Sequence, residues 1–146
     1  MSLATDSIFI AAIQSNPAMV ERIGGRLYGT AIPLPDEDAD NVPVPYVIVT
    51  FDGLNNQNQT KDDVYEGSYD TVNICVEVTG ETIKDLHELT QAVRDTILSY
   101  FREHETAIID YTFSADAIQY DSLKPCYWQT LRYQCEVENL NDDEQE

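Results

Sequence analysis

The side chains that could support nucleophilic or metal chemistry are few. The chain has two histidines, His87 and His104, and three cysteines, Cys75, Cys126 and Cys135. The cysteines lack the paired spacing of a zinc site, and no pattern in the sequence brings a histidine to them. Cys75 and Cys135 stand in strand-like runs, which favours small residues of a sheet or core. We therefore expect no metal and no cofactor.

Carboxylates are abundant, because the chain has 27 acidic residues. Two carboxylates form the catalytic pair of glycoside hydrolases, but so many acids make any one pair uninformative without geometry. The acidic run DEDAD at residues 36–40 lacks the glycine and the distal glutamate of an EF-hand calcium loop. The sequence also contains no G-x-S-x-G elbow, P-loop or dinucleotide-binding fingerprint. These observations disfavour catalysis.

The charge balance limits the classes of partner. Eight basic residues against 27 acidic ones give a formal net charge of -19. Such a surface repels nucleic-acid phosphates and anionic membranes, and it suits a cationic partner or a protein that must not adhere to passing DNA. The apolar run IFIAAI at residues 8–13 is too short to span a membrane, and no basic stretch precedes it as in a signal peptide. We expect a protein that folds in a reducing cytoplasm and has no membrane partner.

The amino-terminal segment predicts two short helices. Thr5 or Asp6 can cap the first helix. Its apolar face is formed by Ile8, Phe9, Ala12 and Ile13. Pro17 ends this helix, because the residue before a proline is displaced from the helical conformation, and it can begin the second. The pair Gly24–Gly25 ends the second helix.

Two strands follow a proline-rich loop. The run YVIVTF at residues 46–51 is largely apolar on both faces, which indicates a strand covered on both sides, or covered by a partner on one of them. The run DTVNICVEV at residues 70–78 alternates between apolar and polar side chains. Its predicted core face consists of Val72, Ile74, Val76 and Val78. We predict that these two strands pair in the antiparallel sense.

The polar segment between the two strands is the candidate interface. It contains few core-forming side chains, and a long polar loop in a small domain is usually functional or disordered. We predict an extended hairpin arm whose contact residues are Asn55, Asn56, Gln57, Asn58, Gln59, Thr60 and Lys61. A hairpin loop that makes no contacts is the open alternative.

The clearest helix covers residues 79–103. Thr82 and Asp85 fit a capping box at its start. One apolar stripe at helical spacing is formed by Ile83, Leu86, Leu89 or Thr90, Val93, Ile97 and Phe101. His87 lies beside this stripe, and its context HELTQ lacks the second histidine of a zinc-protease helix. His104 follows the helix, where it can interact favourably with the C-terminal end.

The remaining chain predicts further strands. Residues 111–122 are expected to form one broken strand with Ala117 and Ile118 at its centre, and residues 127–138 form the last strand. The core face of this last strand is predicted to carry Leu131, Tyr133, Cys135 and Val137.

The order of elements predicts an α+β fold. We expect an antiparallel four-stranded or slightly larger sheet, with a long amphipathic helix and an N-terminal helix packed on one face. Residues 1–138 are expected to form a single domain, and residues 139–146 an acidic flexible tail.

Several segments, in this order, resemble small phage tail-completion proteins, the tail-terminator or tail-to-head joining family. The resemblance runs from Ile8 to Val137. Its carriers are VERIGGRLYG after the N-terminal helix, the proline-flanked PYVIVTFDG, the strand and helix TVNICVEVTGETIKDLHELTQAVRDTIL, and a closing hairpin, AIQYDS followed by CYWQTLRYQCEV. The acidic proline loop and the acidic tail are additions to the family pattern.

The resemblance implies a structural virion protein and not an enzyme. Members of the family form a ring, usually hexameric, that caps the tail tube and meets the head connector. The implied partners are further copies of the chain, the tail tube protein and the head-tail connector protein, while DNA passes through the ring without sequence-specific binding. The implied location is the head-proximal end of the tail in the virion, after assembly in the bacterial host cytoplasm. Two alternatives stay open: another head-tail adaptor component, or a cytosolic acidic α+β enzyme or small-ligand-binding domain.

Overall fold

A computed structural model describes residues 2–29, 44–56, 69–122 and 125–138 of the chain. Within these ranges, two helices pack on one face of a six-stranded sheet, and a third, short helix packs against the first of them. This arrangement confirms the predicted α+β fold. None of the helices in the described ranges combines the length and hydropathy of a membrane-spanning segment.

Two short helices open the structure. A 3-10 turn at Ser2–Ala4 leads directly into helix α1 (Thr5–Gln14), and helix α2 (Pro17–Arg22) follows. The predicted break between them is confirmed, since Pro17 begins α2 and the Asn16 side chain caps it. The predicted cap of α1 is wrong. Its N-cap is Ala4, and Thr5 and Asp6 lie buried inside its first turn, because the 3-10 turn starts the helix before them.

The long helix α3 (Ile83–Glu103) begins later than predicted. Thr79 and Gly80 belong to the preceding strand, and the Thr82 side chain then caps the helix by accepting a hydrogen bond from the Asp85 N–H at 3.0 Å. The cap itself is therefore confirmed. The buried face of α3 comprises Leu86, Leu89, Val93, Thr96 and Ile97. Ile83 was predicted on this face but is 48% exposed, because it stands in the first turn, before the helix packs on the sheet.

Six strands form the sheet. They are β1 (Leu27–Tyr28), β2 (Val47–Asn55), β3 (Tyr69–Gly80), β4 (Ile108–Ala115), β5 (Gln119–Asp121) and β6 (Cys126–Glu138). The order across the sheet is β1-β2-β3-β6-β4. Strand β5 pairs with residues 126–128 of β6, past the end of the ladder between β4 and β6. Every pair is antiparallel except β1 with β2, which is parallel. The sheet is thus antiparallel as predicted, apart from this two-residue edge strand.

The predicted strand centre at Ala117 and Ile118 is wrong. These two residues lie in the break between β4 and β5. The ladder between β4 and β6 ends at Asp116, whose N–H donates to the Thr130 carbonyl, while its own carbonyl accepts from the Gln129 side chain at 2.8 Å. Because a side chain occupies this carbonyl, the backbone leaves the strand there.

The core lies between the helices and one face of the sheet. The predicted inward residues of β3 and β6 are confirmed, since each is at most 2% exposed. These residues are Val72, Ile74, Val76, Val78, Leu131, Tyr133, Cys135 and Val137. Gly80 closes the connection to α3, because a Cβ at this position would lie 2.9 Å from the Leu86 nitrogen. The chain therefore needs glycine where β3 meets α3.

An aromatic cluster joins the two layers. The Tyr133 ring on β6 contacts Phe9 of α1 at a centroid distance of 5.0 Å, and Phe113 and Tyr111 of β4 at 5.1 and 5.6 Å. Phe9 also meets Phe101 of α3 edge to face at 5.4 Å. Phe9 is fully buried, so it connects helices α1 and α3 to the centre of the sheet.

Truncating Phe9 should weaken the fold strongly. We expect Phe9→Ala to lower the free energy of unfolding by about 3–5 kcal/mol, because it leaves a cavity between α1, α3 and β6. Urea unfolding followed by circular dichroism measures the change. The control is Leu3→Ala, since Leu3 is 74% exposed and its truncation should cost at most about 0.5 kcal/mol. Similar losses in the two variants would contradict this account of the core.

Candidate functional site

The face of the sheet opposite the helices carries mostly polar side chains, together with Ile48 beside Glu77. We refer to this surface as the open face, and several of its residues on β2, β4 and β6 are exposed. It comprises Thr50, Asp52, Asn55, Thr71, Asn73, Cys75, Glu77, Asp110, Thr112, Ser114, Thr130, Arg132, Gln134 and Glu136. In the described chain, it is the place where chemically active groups from several strands come together.

A charged cluster occupies the middle of the open face. Arg132 on β6 forms a two-pronged pair with Asp116, with Nε–Oδ1 and NH2–Oδ2 distances of 2.9 and 2.8 Å. On the other side of Arg132, its NH1 lies 3.8 Å from the Asp52 carboxylate and 3.4 Å from the Cys75 sulfur. The Cys75 thiol donates to the same Asp52 carboxylate at 3.5 Å. The cluster therefore bridges β2, β3, β6 and the end of β4.

The electrostatics of this cluster favour a static ion pair. Hydrogen bonding to Arg132 lowers the pKa of the Asp116 carboxyl, so that Asp116 stays ionised. Burial raises the pKa of the Cys75 thiol, and the Asp52 carboxylate raises it further, while Arg132 opposes the rise. Cys75 is therefore protonated at neutral pH and a weak nucleophile.

No catalytic arrangement accompanies the cluster in the described ranges. The groove beside it is open and has a volume of about 270 Å³, and its lining includes Asn73, Thr112 and Gln134. His87 and His104 are both exposed, on α3 and just after it, in the opposite layer. His104 instead stacks on Tyr100 and lies 3.2 Å from the Tyr100 carbonyl, as expected for a residue at the helix end. Among the described residues, no group of three or more His, Cys, Asp or Glu side chains could hold a metal ion.

Glu77 is the half-buried acid of the open face. Its strand neighbours on either side are Ile48 of β2 and Thr130 of β6. Burial raises the pKa of the Glu77 carboxyl, because these uncharged neighbours withhold water from it. A carboxylate at this position is thus less well solvated than the exposed acids of the same face, Asp52, Asp110 and Glu136.

The structure describes two of the seven predicted interface residues. Asn55 ends β2 and is exposed on the open face, and Asn56 follows it. The Asn56 side chain donates to the Asp70 carboxylate at 2.7 Å, which ties the end of β2 to the start of β3. Gln57, Asn58, Gln59, Thr60 and Lys61 lie outside the described residues, so their interface role remains a prediction.

Sequence reasoning did not find the Arg132 cluster. Alternation with the predicted core residues places Arg132 on the outward side of the last strand, but nothing local links it to Asp52, 80 residues earlier. One signal was available, because Arg132 is the only cation of the last strand and stands among polar outward residues. An isolated cation among strand acids indicates an ion pair, although its partners depend on strand register.

Comparison with known proteins finds a likeness in three-dimensional structure. No protein-family model matches the chain. No curated protein matches it either. Among solved structures, the chain is similar to a chain of the virion of a native gene transfer agent (GTA) particle, with a TM-score of 0.59 and 10% sequence identity. The match covers 92% of this chain and 94% of that chain. At this identity the likeness shows a shared fold over almost the full length of both chains.

Alkylation kinetics test the environment of Cys75. In the native chain, iodoacetamide should report mainly on Cys75, because Cys126 and Cys135 are buried and burial raises the pKa of Cys135 to about 12. The rate should rise with pH through a midpoint above that of an ordinary thiol. Asp52→Asn removes a nearby negative charge, so it should lower the pKa of Cys75 and increase the rate at pH 7 about twofold or more.

The matched control is Asp110→Asn, which removes an acid from the far end of the same face. It should leave the rate unchanged. Equal effects of the two substitutions would show that Asp52 does not act on the Cys75 thiol directly.

Proposed function

We propose that this protein is a structural component of a phage or phage-like virion: a tail-terminator or tail-to-head joining subunit that assembles into a ring. The observation that carries the proposal is the shared fold with a chain of a gene transfer agent virion over 92% of this chain. The segments that resemble the tail-completion family, taken in the order of the fold's elements, favour the same assignment. The ring would cap the tail tube at the end that meets the head connector.

The open face supports a role in assembly over a role in catalysis. Its central thiol has a raised pKa, its arginine is held by Asp116, and the groove beside them is open. An enzyme or small-ligand site instead uses a concave, mostly apolar pocket with a few convergent polar groups. The described residues present a broad polar surface, which suits contact with another protein.

The charge of the chain suits a channel for DNA. Acids outnumber bases on the open face, where Asp52, Glu77, Asp110 and Glu136 accompany the single cation Arg132 in the described ranges. A ring surface of this kind repels phosphates, so that DNA passes without being bound. The proposed partners are further copies of the chain, the tail tube protein and the head-tail connector protein. The proposed location is the head-proximal end of the tail, after assembly in the bacterial host cytoplasm.

The mass of the protein in solution tests the ring. Light scattering after gel filtration, over a concentration series, should show a large species with a mass that is a fixed multiple of the 16.5 kDa chain. Negative-stain microscopy of that species should show a closed ring, hexameric by resemblance, with a central hole wide enough for double-stranded DNA. A monomer at every concentration would contradict a self-assembling ring.

The polar arm should contribute to assembly. Deleting residues 57–61 while keeping Asn56, which bonds Asp70, should preserve the far-UV circular dichroism of the monomer and shift ring formation to at least about tenfold higher concentration, a cost of about 1.4 kcal/mol. Deleting residues 142–146 removes the same number of residues outside the predicted domain and serves as the control. Unchanged assembly after the arm deletion would show that the arm makes no contact that matters.

A further inference from the structure

We propose that the ring closes by strand pairing, with β4 of each copy bonded to β2 of the next, so that one sheet continues around the ring. This inference rests on the proposed ring and specifies its subunit contact. The partner surface is a second copy of this chain. Four observations carry the inference: two strand edges that have no strand partner among the described residues, backbone groups that point outward from them, their opposite directions and their matching side chains.

The first edge is β4. Within the described ranges, β4 pairs with β6 alone. The bond from the Asp116 N–H to the Thr130 carbonyl fixes the phase of this ladder, and two-residue steps give Ser114, Thr112 and Asp110 the bonds to β6. The N–H and C=O groups of the alternate residues, Tyr111 and Phe113, therefore point away from the sheet, where the Tyr111 N–H donates to the adjacent Asp110 carboxylate at 2.9 Å.

The second edge is the distal half of β2. Within the described ranges, strand β1 pairs only with Val47 and Ile48 on this side, and Gly29 after it lies beside the Val49 carbonyl. The bond from the Thr79 N–H to the Tyr46 carbonyl sets the phase between β2 and β3. The register between β2 and β3, including the bulge after Phe51, then places the N–H and C=O groups of Phe51 and Leu54 on the side of β2 that faces away from β3. Unpaired backbone groups on a strand edge form a template for pairing with another chain.

The directions of the two edges suit a ring. Strands β2, β3, β6 and β4 are successive antiparallel neighbours, so β4 runs opposite to β2. When the ring axis is roughly parallel to the strands, rotation about it gives equivalent strands in all copies the same direction. Strand β4 of one copy then lies antiparallel to β2 of the next. Such a contact joins two different patches and closes by rotation, as a heterologous ring requires. The open faces of all copies then turn to the same side of the ring wall.

The two edges carry apolar core-side residues at the same level along the strands. Phe113 and Phe51 lie in the row that contains Tyr133 and Ile74, while Tyr111 and Leu54 lie in the next such row. All four edge side chains are only half-buried in the single chain. Pairing at this register places Phe113 beside Phe51 and Tyr111 beside Leu54 of the neighbour, so it would bury apolar surface on both edges.

The open-face residues of the two edges also pair without placing like charges opposite each other. In this register Ser114 faces Thr50 of the neighbouring copy, and Asp110 faces Asn55. Thr112 falls at the bulge that contains Asp52. Each close pair therefore has at most one charge, which matters for a chain with a net charge of -19.

Engineered cysteines test the register. The variant carries Asn55→Cys and Asp110→Cys in a Cys75→Ser background, which removes the half-buried thiol of the open face. Within one copy the two positions are three strand spacings apart, about 14 Å, too far for a disulfide. Between copies they would form a directly opposed pair without ladder bonds, at a Cα separation of about 4.5 Å. Mild oxidation should give a ladder of covalent oligomers on denaturing gels, ending at the ring number.

The matched control pairs Asn55→Cys with Ser114→Cys in the same background. Ser114 is four residues along β4 from Asp110, so the sulfurs are offset by about 13 Å and should give at least about tenfold less cross-linked product. A mixture of the two single-cysteine variants, Asn55→Cys and Asp110→Cys, should give a covalent dimer and nothing larger. Circular dichroism and light scattering of the Cys75→Ser chain should show that the background folds and assembles as the native chain does.

The outcomes separate this contact from the ring itself. A ladder from the matched pair supports strand pairing at the stated register. Rings that form without cross-links from the matched pair would overturn the strand contact and leave the proposed function standing. Cross-linking by Asp110→Cys with Ser114→Cys that stops at a dimer would show a symmetric β4–β4 contact and overturn the proposal. A chain that neither assembles nor cross-links at any concentration would overturn both.

Discussion

The fold depends on the contact between the Tyr133 ring and the helices above it. Tyr133 lies on β6, which pairs with β3, β4 and β5, and its ring packs against Phe9 of α1. Phe9 in turn contacts Phe101 of α3, so the described helix–sheet core converges on one aromatic cluster. A helical layer held in this way covers one face of the sheet. The polar open face and the half-buried residues at the sheet edges follow directly from this one-sided packing.

Local patterns predicted the parts of the fold that local physics determines. The alternation of Val72, Ile74, Val76 and Val78 identified the core face of β3, because a strand with one buried face must place every second side chain inward. The Thr82 cap and the break at Pro17 were likewise readable from residue type. Each of these features depends on neighbours within a few positions in the sequence.

The features that could not be predicted from the sequence depend on contacts between residues that are far apart in the chain. Strand β1 has two residues, and it is a strand only because it pairs with Val47 and Ile48, about 20 residues later. The end of β4 is set by the Gln129 side chain, which bonds the Asp116 carbonyl. The charged cluster around Arg132 depends in the same way on the register of β2, β3 and β6. Hydrophobic periodicity carries no information on the register between strands that are far apart in the sequence. These features are therefore visible only in the three-dimensional structure.

The net charge constrains how copies of this chain can associate. Identical chains of charge -19 repel one another, and salt screens that repulsion only beyond about 8 Å at physiological ionic strength. Four of the described cations are already occupied within the chain: Arg132 by Asp116, Arg22 by Glu88, Arg26 by the Pro45 carbonyl and Arg94 over the Phe113 ring. Salt bridges between copies therefore have few donors. Backbone hydrogen bonds and apolar side chains carry no net charge, and the edges of β2 and β4 offer both. The proposed ring thus has a physical reason to assemble through strand edges and to leave its carboxylates on the face that the proposed contact does not bury.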